Sequence, residues 1–307
     1  MKTVSLNIWF KAFRLRTLFL ALASIAMGTF LAAADKKFNF LIFLLCSLTA
    51  IFLQILSNLA NDYGDHVHGA DNIFRVGPKR TTQTGEISVV AIKQAIRLFV
   101  FLSLVTGLSL LCVGIRFSPV NFFGFFLLGM LCIFAAIKYT TGSKPYGYAG
   151  LGDIAVFIFF GWVAVMGTYY LQTEDLHSAI FLPATTCGLF SVAVLNINNI
   201  RDIESDAMAG KKSIPVRIGK RKAKIYHWFL LGGGILCAII YTILNYYNFT
   251  QLLFVLSIPL IIKNGIMVWK TKDSQEFNPY LKQMAISTFI FVLTFGIGRL
   301  LSVAFAF

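Results

Sequence analysis

The strongest constraint on this chain is the recurrence of apolar stretches long enough to cross a bilayer. A helix needs about 20 apolar residues to span the hydrocarbon core. Windows of that kind recur at 17–34, 39–60, 96–115, 119–138, 152–171, 178–199, 225–245, 250–269 and 283–304. They show no strand-like alternation and are too long for barrel strands. Backbone polar groups in lipid must be paired internally, so helices remain. The expected fold class is all-α, a polytopic membrane bundle of nine transmembrane helices. Charged residues make up 13% of the 307, about half the share usual in soluble domains. The first run follows Lys2, Lys11, Arg14 and Arg16 and has full spanning length, so it reads as a first span and not a cleaved signal.

Loops assigned alternately to the two membrane faces divide the basic residues unevenly. Of the 27 Lys and Arg, only Lys36, Lys37, Arg116 and Arg299 fall on one face. The excess marks the cytoplasmic side, which is where the N-terminus and the long loops after the second and sixth spans are expected. The net charge of +14 then reflects topology and phosphate chemistry. No basic stripe interleaved with aromatics is present, so no nucleic-acid partner is expected. Cys46, Cys112, Cys132, Cys187 and Cys237 all sit in apolar runs at irregular spacing, as small core residues do.

Two polar stretches interrupt this pattern. NDYGDHVHGAD occupies 61–71, at the end of the second span, and NINNIRDIESDAMAGKKSIPVRIG occupies 196–219, at the end of the sixth. Carboxylates beside a bilayer are costly and point to function. Asn61 and Asp65 are four apart, as are Asn198 and Asp202, with Asp71 following the first pair and Asp206 the second. The match suggests a pseudo-repeat, with halves at about 17–138 and 152–269 and a last helix at 283–304. Residues four apart share a helix face, so Asn198, Asp202 and Asp206 can form a column of oxygen ligands. Two facing columns would select a hard divalent ion, and Mg²⁺ typically takes one or two carboxylates plus phosphate oxygens. Adjacent Lys and Arg would neutralise the remaining charge of a diphosphate. His66 and His68 are two apart and do not share a helix face, so they read as exposed loop histidines and not as metal ligands.

These motifs, together with GPKRTTQTG at 77–85 and KYTTGSKPYGYAGLGDIAVFIFFG at 138–161, resemble those of the UbiA superfamily of intramembrane prenyltransferases. The resemblance covers the whole chain as one prenyltransferase domain, 1–307. Within the superfamily it is greatest to members using 1,4-dihydroxy-2-naphthoate in menaquinone biosynthesis. It implies Mg²⁺-dependent transfer of a polyprenyl group from polyprenyl diphosphate to that aromatic acceptor, with loss of CO₂ and diphosphate. The partners are then polyprenyl diphosphate, the naphthoate and membrane lipid, and the active site of a multi-pass cell-membrane protein faces the cytoplasm. The metal ligands implied are Asn61, Asp65, Asp71, Asn198, Asp202 and Asp206, with Asp62 and Asn58 as weaker candidates. Lys79, Arg80, Lys144, Arg201 and Lys212 are implied to contact the diphosphate. Asp65 and Asp202 count as catalytic, as does Tyr139, which would stabilise the allylic cation or orient the acceptor. The chain departs from the family pattern at FRLRTLFLA, which lacks a proline after Arg14, so the family's acceptor-carboxylate role does not carry over simply to that residue. It departs again at His66-x-His68, where relatives more often carry an apolar residue and a lysine.

Other acceptors fit the same motifs: 4-hydroxybenzoate first, then homogentisate and glyceryl phosphate. A secondary transporter would carry its acidic residues near the midplane, whereas here they gather at helix ends and in loops. A scaffold that only binds isoprenoid diphosphate would be expected to lack part of a motif.

Overall fold

A computed structural model describes residues 5–69, 76–77, 80–115 and 118–305. Among these there is no strand, and nine helices are long and apolar enough to cross a membrane. A short helix α1 (Leu6–Phe13) precedes the first span, α2 (Leu15–Ala34). Between them Arg14 adopts left-handed φ, 51°, and turns the chain. The further spans are α3 (Phe40–Val67), α4 (Val89–Gly114), α5 (Pro119–Lys138), α6 (Gly152–Thr173) and α7 (Ser178–Arg201). A short α8 (Ile203–Met208) follows, then the spans α9 (Ile214–Leu244), α10 (Phe249–Lys270) and α11 (Gln275–Ala304).

Local chemistry sets several helix starts. The Asn39 side chain accepts from the Leu41 and Ile42 N–H groups, Ser88 from Ala91 and Ser118 from Asn121. Each satisfies a donor that the first helical turn leaves free. Pro119 at the first position of α5 needs no such partner. The start of α9 at Ile214 is set off from the rest of that helix by a kink at Gly219, φ 81°. A helix outruns its apolar window where its end is polar. α3 continues to Val67, because hydropathy marks only the lipid-buried part of a helix. His66 is therefore helical, though exposed.

Most of the apolar windows of α2 and α7 is buried (61% each), against 11% for α5. α2 and α7 thus run through the middle, and α5 faces lipid. One apolar cluster joins α2, α6, α7, α9, α10 and α11 through residues such as Met27, Val165, Phe190, Leu231, Phe254 and Phe291. A second joins α1, α3, α4 and α5 around Ala12, Leu56, Ile92 and Ile133. A third, with Ile25, Cys46, Leu111 and Leu171, closes the end where α3 begins and α4 and α6 finish. Midway along α6, Phe157–Met166 widen into a π-helix. Between α9, α10 and α11 a buried polar chain runs from His227 to Asn264 (3.0 Å) and on to Gln283, tying helices that apolar packing alone does not hold in lipid.

Candidate active site

The last turns of α3 carry a dense set of polar side chains. Asp62 and Asp65, three residues apart, are neighbours on the helix surface, and both are buried. Asp62 receives Arg14 and lies 3.5 Å from Arg80. Asp65 receives Arg80 at 2.5 Å and the Tyr148 hydroxyl at 2.8 Å. Arg80 also donates to the Asn61 carbonyl at 2.6 Å. Asn58 donates to Phe13 O and Thr17 Oγ1, both at 2.9 Å. Asn58 and Asp62 therefore lock the α1–α2 turn to α3, and Asn58 also lines the cavity described below.

At the end of α7, Arg201 is 2% exposed and organises the second motif. Its guanidinium donates to Asp202 Oδ1 at 2.9 Å and Oδ2 at 2.5 Å, to Asn198 Oδ1 at 2.8 Å and to Asn278 Oδ1 at 2.7 Å. A two-pronged arginine–carboxylate pair of this kind is geometrically specific. Asp206 lies one turn beyond Asp202, and Lys211 folds back to it at 3.3 Å.

The two motifs meet. Gly77, in the stretch after α3, abuts the Arg201 guanidinium so closely that a Cβ there would stand 2.7 Å from Nη2. Tyr148, which holds Asp65, also lies under the Lys211 ammonium, 5.9 Å from the ring centroid. A continuous set of contacts thus runs from Arg80 through Asp65, Tyr148 and Lys211 to Asp206. Burial pulls the Lys211 pKa down, but Asp206 and Asp65 outweigh it and hold the ammonium above the ordinary lysine range. Burial pushes the Asp206 carboxyl upward, with Lys211 pulling against it. Tyr148 is pushed up by burial and by the Asp65 charge, so its hydroxyl stays a hydrogen-bond donor.

Below this polar layer is a cavity of about 420 Å³. Its polar end is lined by Arg14, Arg16, Asn61, Asp65, Arg80, Asn198, Asn199 and Lys211, and its depth by residues such as Leu108, Leu111, Phe126, Phe159 and Phe160. One end suits a charged head and the rest an apolar chain, the usual division of labour in a ligand site.

Tyr139 caps α5 at the boundary of the two regions and lines the cavity. Its ring meets Tyr146 edge-on at 5.3 Å. Burial pushes its hydroxyl up to about 12, with Lys211 opposing, so it is a neutral phenol at physiological pH. The next residue, Thr140, donates to Ala60 O at 3.0 Å and Asn61 Oδ1 at 3.1 Å. This contact requires Gly64, since a Cβ there would fall 2.5 Å from the Thr140 carbonyl oxygen. Gly64→Val should therefore destabilise the fold by about 1–3 kcal/mol, seen as a lower melting temperature in detergent. An unchanged melting curve would show that the 139–151 loop does not press on α3.

Of the residues expected from sequence, the structure brings Asn61, Asp65, Arg80, Asn198 and Tyr139 to the cavity, with Asp202 and Asp206 beside it in the same contact set. Asp71 and Lys79 lie outside the described residues. Lys144 and Lys212 are exposed and do not line the cavity. Lys212 joins the fold through its backbone, donating to Tyr148 O and accepting from Arg217. Its neighbour Lys211 turns inward instead. The Arg201 side chain holds Asn198 and Asp202 in place and does not line the cavity. His68 is no free loop histidine: its ring bonds Gly64 O at 2.8 Å and Gly142 O at 3.0 Å. Lys211, Tyr148, Asn199 and Arg16 were not singled out by sequence. All four sit beside or within the quoted motifs, and nothing in their spacing set them apart.

The oxygen donors suit a hard cation. No three Asp, Glu, His or Cys converge into a metal cage among the described residues, but Mg²⁺ typically needs only one or two carboxylates when phosphate oxygens complete its shell. Asp206 Oδ2 and Asn199 Oδ1 are buried with no hydrogen-bond partner, and such oxygens are rare unless something else is meant to meet them. The residues fit the ion.

A helical bundle in which two oxygen-rich helix ends share an apolar cavity defines the intramembrane prenyltransferase class. Residues 21–291 match the UbiA prenyltransferase family, and the chain belongs to it as a multi-pass membrane protein. It is 46% identical over 299 residues to a 1,4-dihydroxy-2-naphthoate octaprenyltransferase of Haemophilus influenzae, covering 96% of each chain. To the protein of the same name from Escherichia coli it is 44% identical over 294 residues, covering 96% of this chain and 95% of the other. A UbiA homolog from Aeropyrum pernix superposes with TM-score 0.68 at 17% identity, over 92% of this chain and 97% of that one. A UbiA homolog from Archaeoglobus fulgidus, solved bound to GPP and Mg²⁺, gives 0.64 at 17% identity, over 95% and 99%. At that identity the likeness to the solved structures is one of fold.

Proposed function

We propose that this chain transfers a polyprenyl group from polyprenyl diphosphate to 1,4-dihydroxy-2-naphthoate, releasing diphosphate and CO₂ to give demethylmenaquinol for menaquinone biosynthesis. The observation that carries this most is the joined polar layer, from Arg80 and Asp65 through Tyr148 to Lys211 and Asp206, at the head of an apolar cavity. Relatives 44–46% identical over nearly their full length bear the name of this activity.

Arg80 and Lys211 meet the diphosphate and neutralise charge that grows as the allylic C–O bond breaks. Asn61, Asp65, Asn198, Asp202 and Asp206 would hold Mg²⁺, with Asp71 following the first motif. When bound, the ion supplies positive charge that stabilises the leaving diphosphate. Tyr139 presents a neutral phenol ring and hydroxyl where head and chain meet, suited to an allylic cation. The apolar walls keep water from that cation. The electron-rich ring then attacks through its carboxyl-bearing carbon, and loss of CO₂ restores aromaticity. The heavy bias of Lys and Arg to the site's side of the membrane supports a cytoplasmic orientation.

The test is turnover in membranes expressing the chain, with polyprenyl diphosphate and either dihydroxynaphthoate or 4-hydroxybenzoate. The expected result is a prenylated naphthoquinol with CO₂ release, abolished by EDTA and restored by Mg²⁺. Product from hydroxybenzoate alone would overturn the acceptor, and EDTA-resistant turnover would overturn the metal.

A further inference from the structure

Away from the cavity, the bundle carries a second apolar recess. Ile225 and Trp228 on α9 and Ile266 and Trp269 on α10 line a groove between the two helices. Ile225, Ile266 and Trp269 are exposed, so the groove opens to the outside of the bundle. α10 makes room for it at Gly265, where a Cβ would stand 2.6 Å from Trp228 Cη2. The end of the groove nearer the basic face is different. Residues three and four apart are neighbours on a helix. Arg221 and Lys222 therefore carry the α9 wall one turn beyond Ile225, and Lys270 carries the α10 wall one turn beyond Ile266, with Lys272 just past the helix end. All four are exposed, and their side chains make no ion pair or hydrogen bond among the described residues. Lys220 and Lys224 beside them are used by the fold. Lys224 Nζ donates to Trp269 O at 3.0 Å and Thr271 O at 2.5 Å, and Lys220 Nζ to Lys272 O at 2.7 Å, carbonyls that the end of α10 leaves free. The nearby carboxylates, Asp273 and Glu276, are exposed and pair with none of these cations among the described residues.

We propose that this groove binds an anionic phospholipid from the leaflet on the basic face, with an acyl chain against the two tryptophans and the phosphate at Arg221, Lys222 and Lys270. The groove itself is lined by apolar side chains and open to the bilayer, which suits a hydrocarbon chain. Its mouth lies at headgroup depth, because Lys270 ends α10 and Arg221 and Lys222 follow directly on the kink at Gly219. Tryptophan favours that boundary. Cations without a counter-charge, gathered between two spans, attract an anionic headgroup, whereas a zwitterionic one brings a cation of its own beside them. A second copy of the chain fits the groove less well. A symmetric pair through this face would set two clusters of like charge against each other. None of these residues lines the cavity, so the proposal stands apart from prenyl transfer.

The test uses the full chain in phosphatidylcholine nanodiscs. A varied share of the lipid is replaced by phosphatidylglycerol or phosphatidylcholine with brominated acyl chains, which quench tryptophan fluorescence on contact. Phosphatidylglycerol should reach half of its full quenching at about 10- to 100-fold lower share than phosphatidylcholine, from about 5-fold per Lys or Arg at a lipid surface. The triple variant Arg221→Gln, Lys222→Gln, Lys270→Gln should lose that difference. The double variant Trp228→Phe, Trp269→Phe should lose it too, leaving Trp9 and Trp162 to respond alike to both lipids. Lys36→Gln with Lys37→Gln, an exposed pair on the other face, should behave as wild type. Trp228 packs against Gly265, so the exposed Trp269→Phe alone carries the reading if the double variant melts early. Equal quenching by the two lipids, a difference that survives the triple substitution, or one that persists without the groove tryptophans would each overturn the proposal. Two copies per disc with Trp269 shielded from both lipids would also overturn it and assign the groove to a second chain.

Discussion

Asp65→Asn and Asp202→Asn are each expected to lower Mg²⁺-dependent prenyl transfer by about 10²- to 10³-fold, the range for losing one preorganised electrostatic stabiliser. Both carboxylates are buried, and each faces an arginine across 2.5 Å. The amide keeps the shape but drops the charge, so it loses affinity for a hard cation as well as the pair with Arg80 or Arg201. Leaving one partner of a buried pair uncompensated is itself destabilising. Melting temperature in detergent must therefore be measured beside turnover. The expected signature is a folded variant whose Mg²⁺ requirement rises and whose KM for the prenyl diphosphate rises with it. A folded Asp65→Asn enzyme with wild-type turnover and an unchanged Mg²⁺ titration would sink the assignment of the α3 end to metal and diphosphate.

Lys211→Met should cost about 10- to 100-fold in kcat/KM for the prenyl diphosphate, as expected for losing a charge-assisted contact to phosphate. Lys211 is the buried cation of the second motif. It reaches Asp206, stands over Tyr148 and lines the cavity. Asp206 and Asp65 hold it protonated, so it presents a full charge at any working pH. Lys211→Arg should keep part of the activity because it restores the charge, although the planar group fits the site differently. The matched control is Lys212→Met. Its side chain is exposed, and turnover should not change. If Lys212→Met were the damaging substitution and Lys211→Met the silent one, the inward turn of Lys211 would be wrong and with it the contact from Tyr148 to Asp206.

The pair Lys211 and Lys212 illustrates where sequence stops being informative. Both lie in the same basic run after α8, and adjacent residues differ only in the direction they face. Arg14 and Arg16 pose the same problem in FRLRTL. Both line the cavity, but the left-handed turn at Arg14 gives that residue to Asp62, and no spacing rule encodes that. In α3, the hydropathy window ended near residue 60 because polar side chains begin there, yet the helix continues to Val67. It can do so because Asp62 and Asp65 are neutralised by Arg14 and Arg80, 48 and 15 residues away in sequence.

The sequence alone determined the all-α membrane class, the number of spans and the grouping of oxygen donors four residues apart, because lipid admits only internally hydrogen-bonded helices and helical periodicity is strictly local. Only the tertiary structure decided which charges neutralise one another, that Arg201 braces Asn198 and Asp202, and that Lys211 and Arg16 reach the cavity. Those outcomes depend on contacts such as Arg14 with Asp62, 48 residues apart, and Tyr148 with Asp65, 83 apart, or on turns of a single residue, and Coulomb pairing in a buried site is set by distances that a linear sequence does not contain.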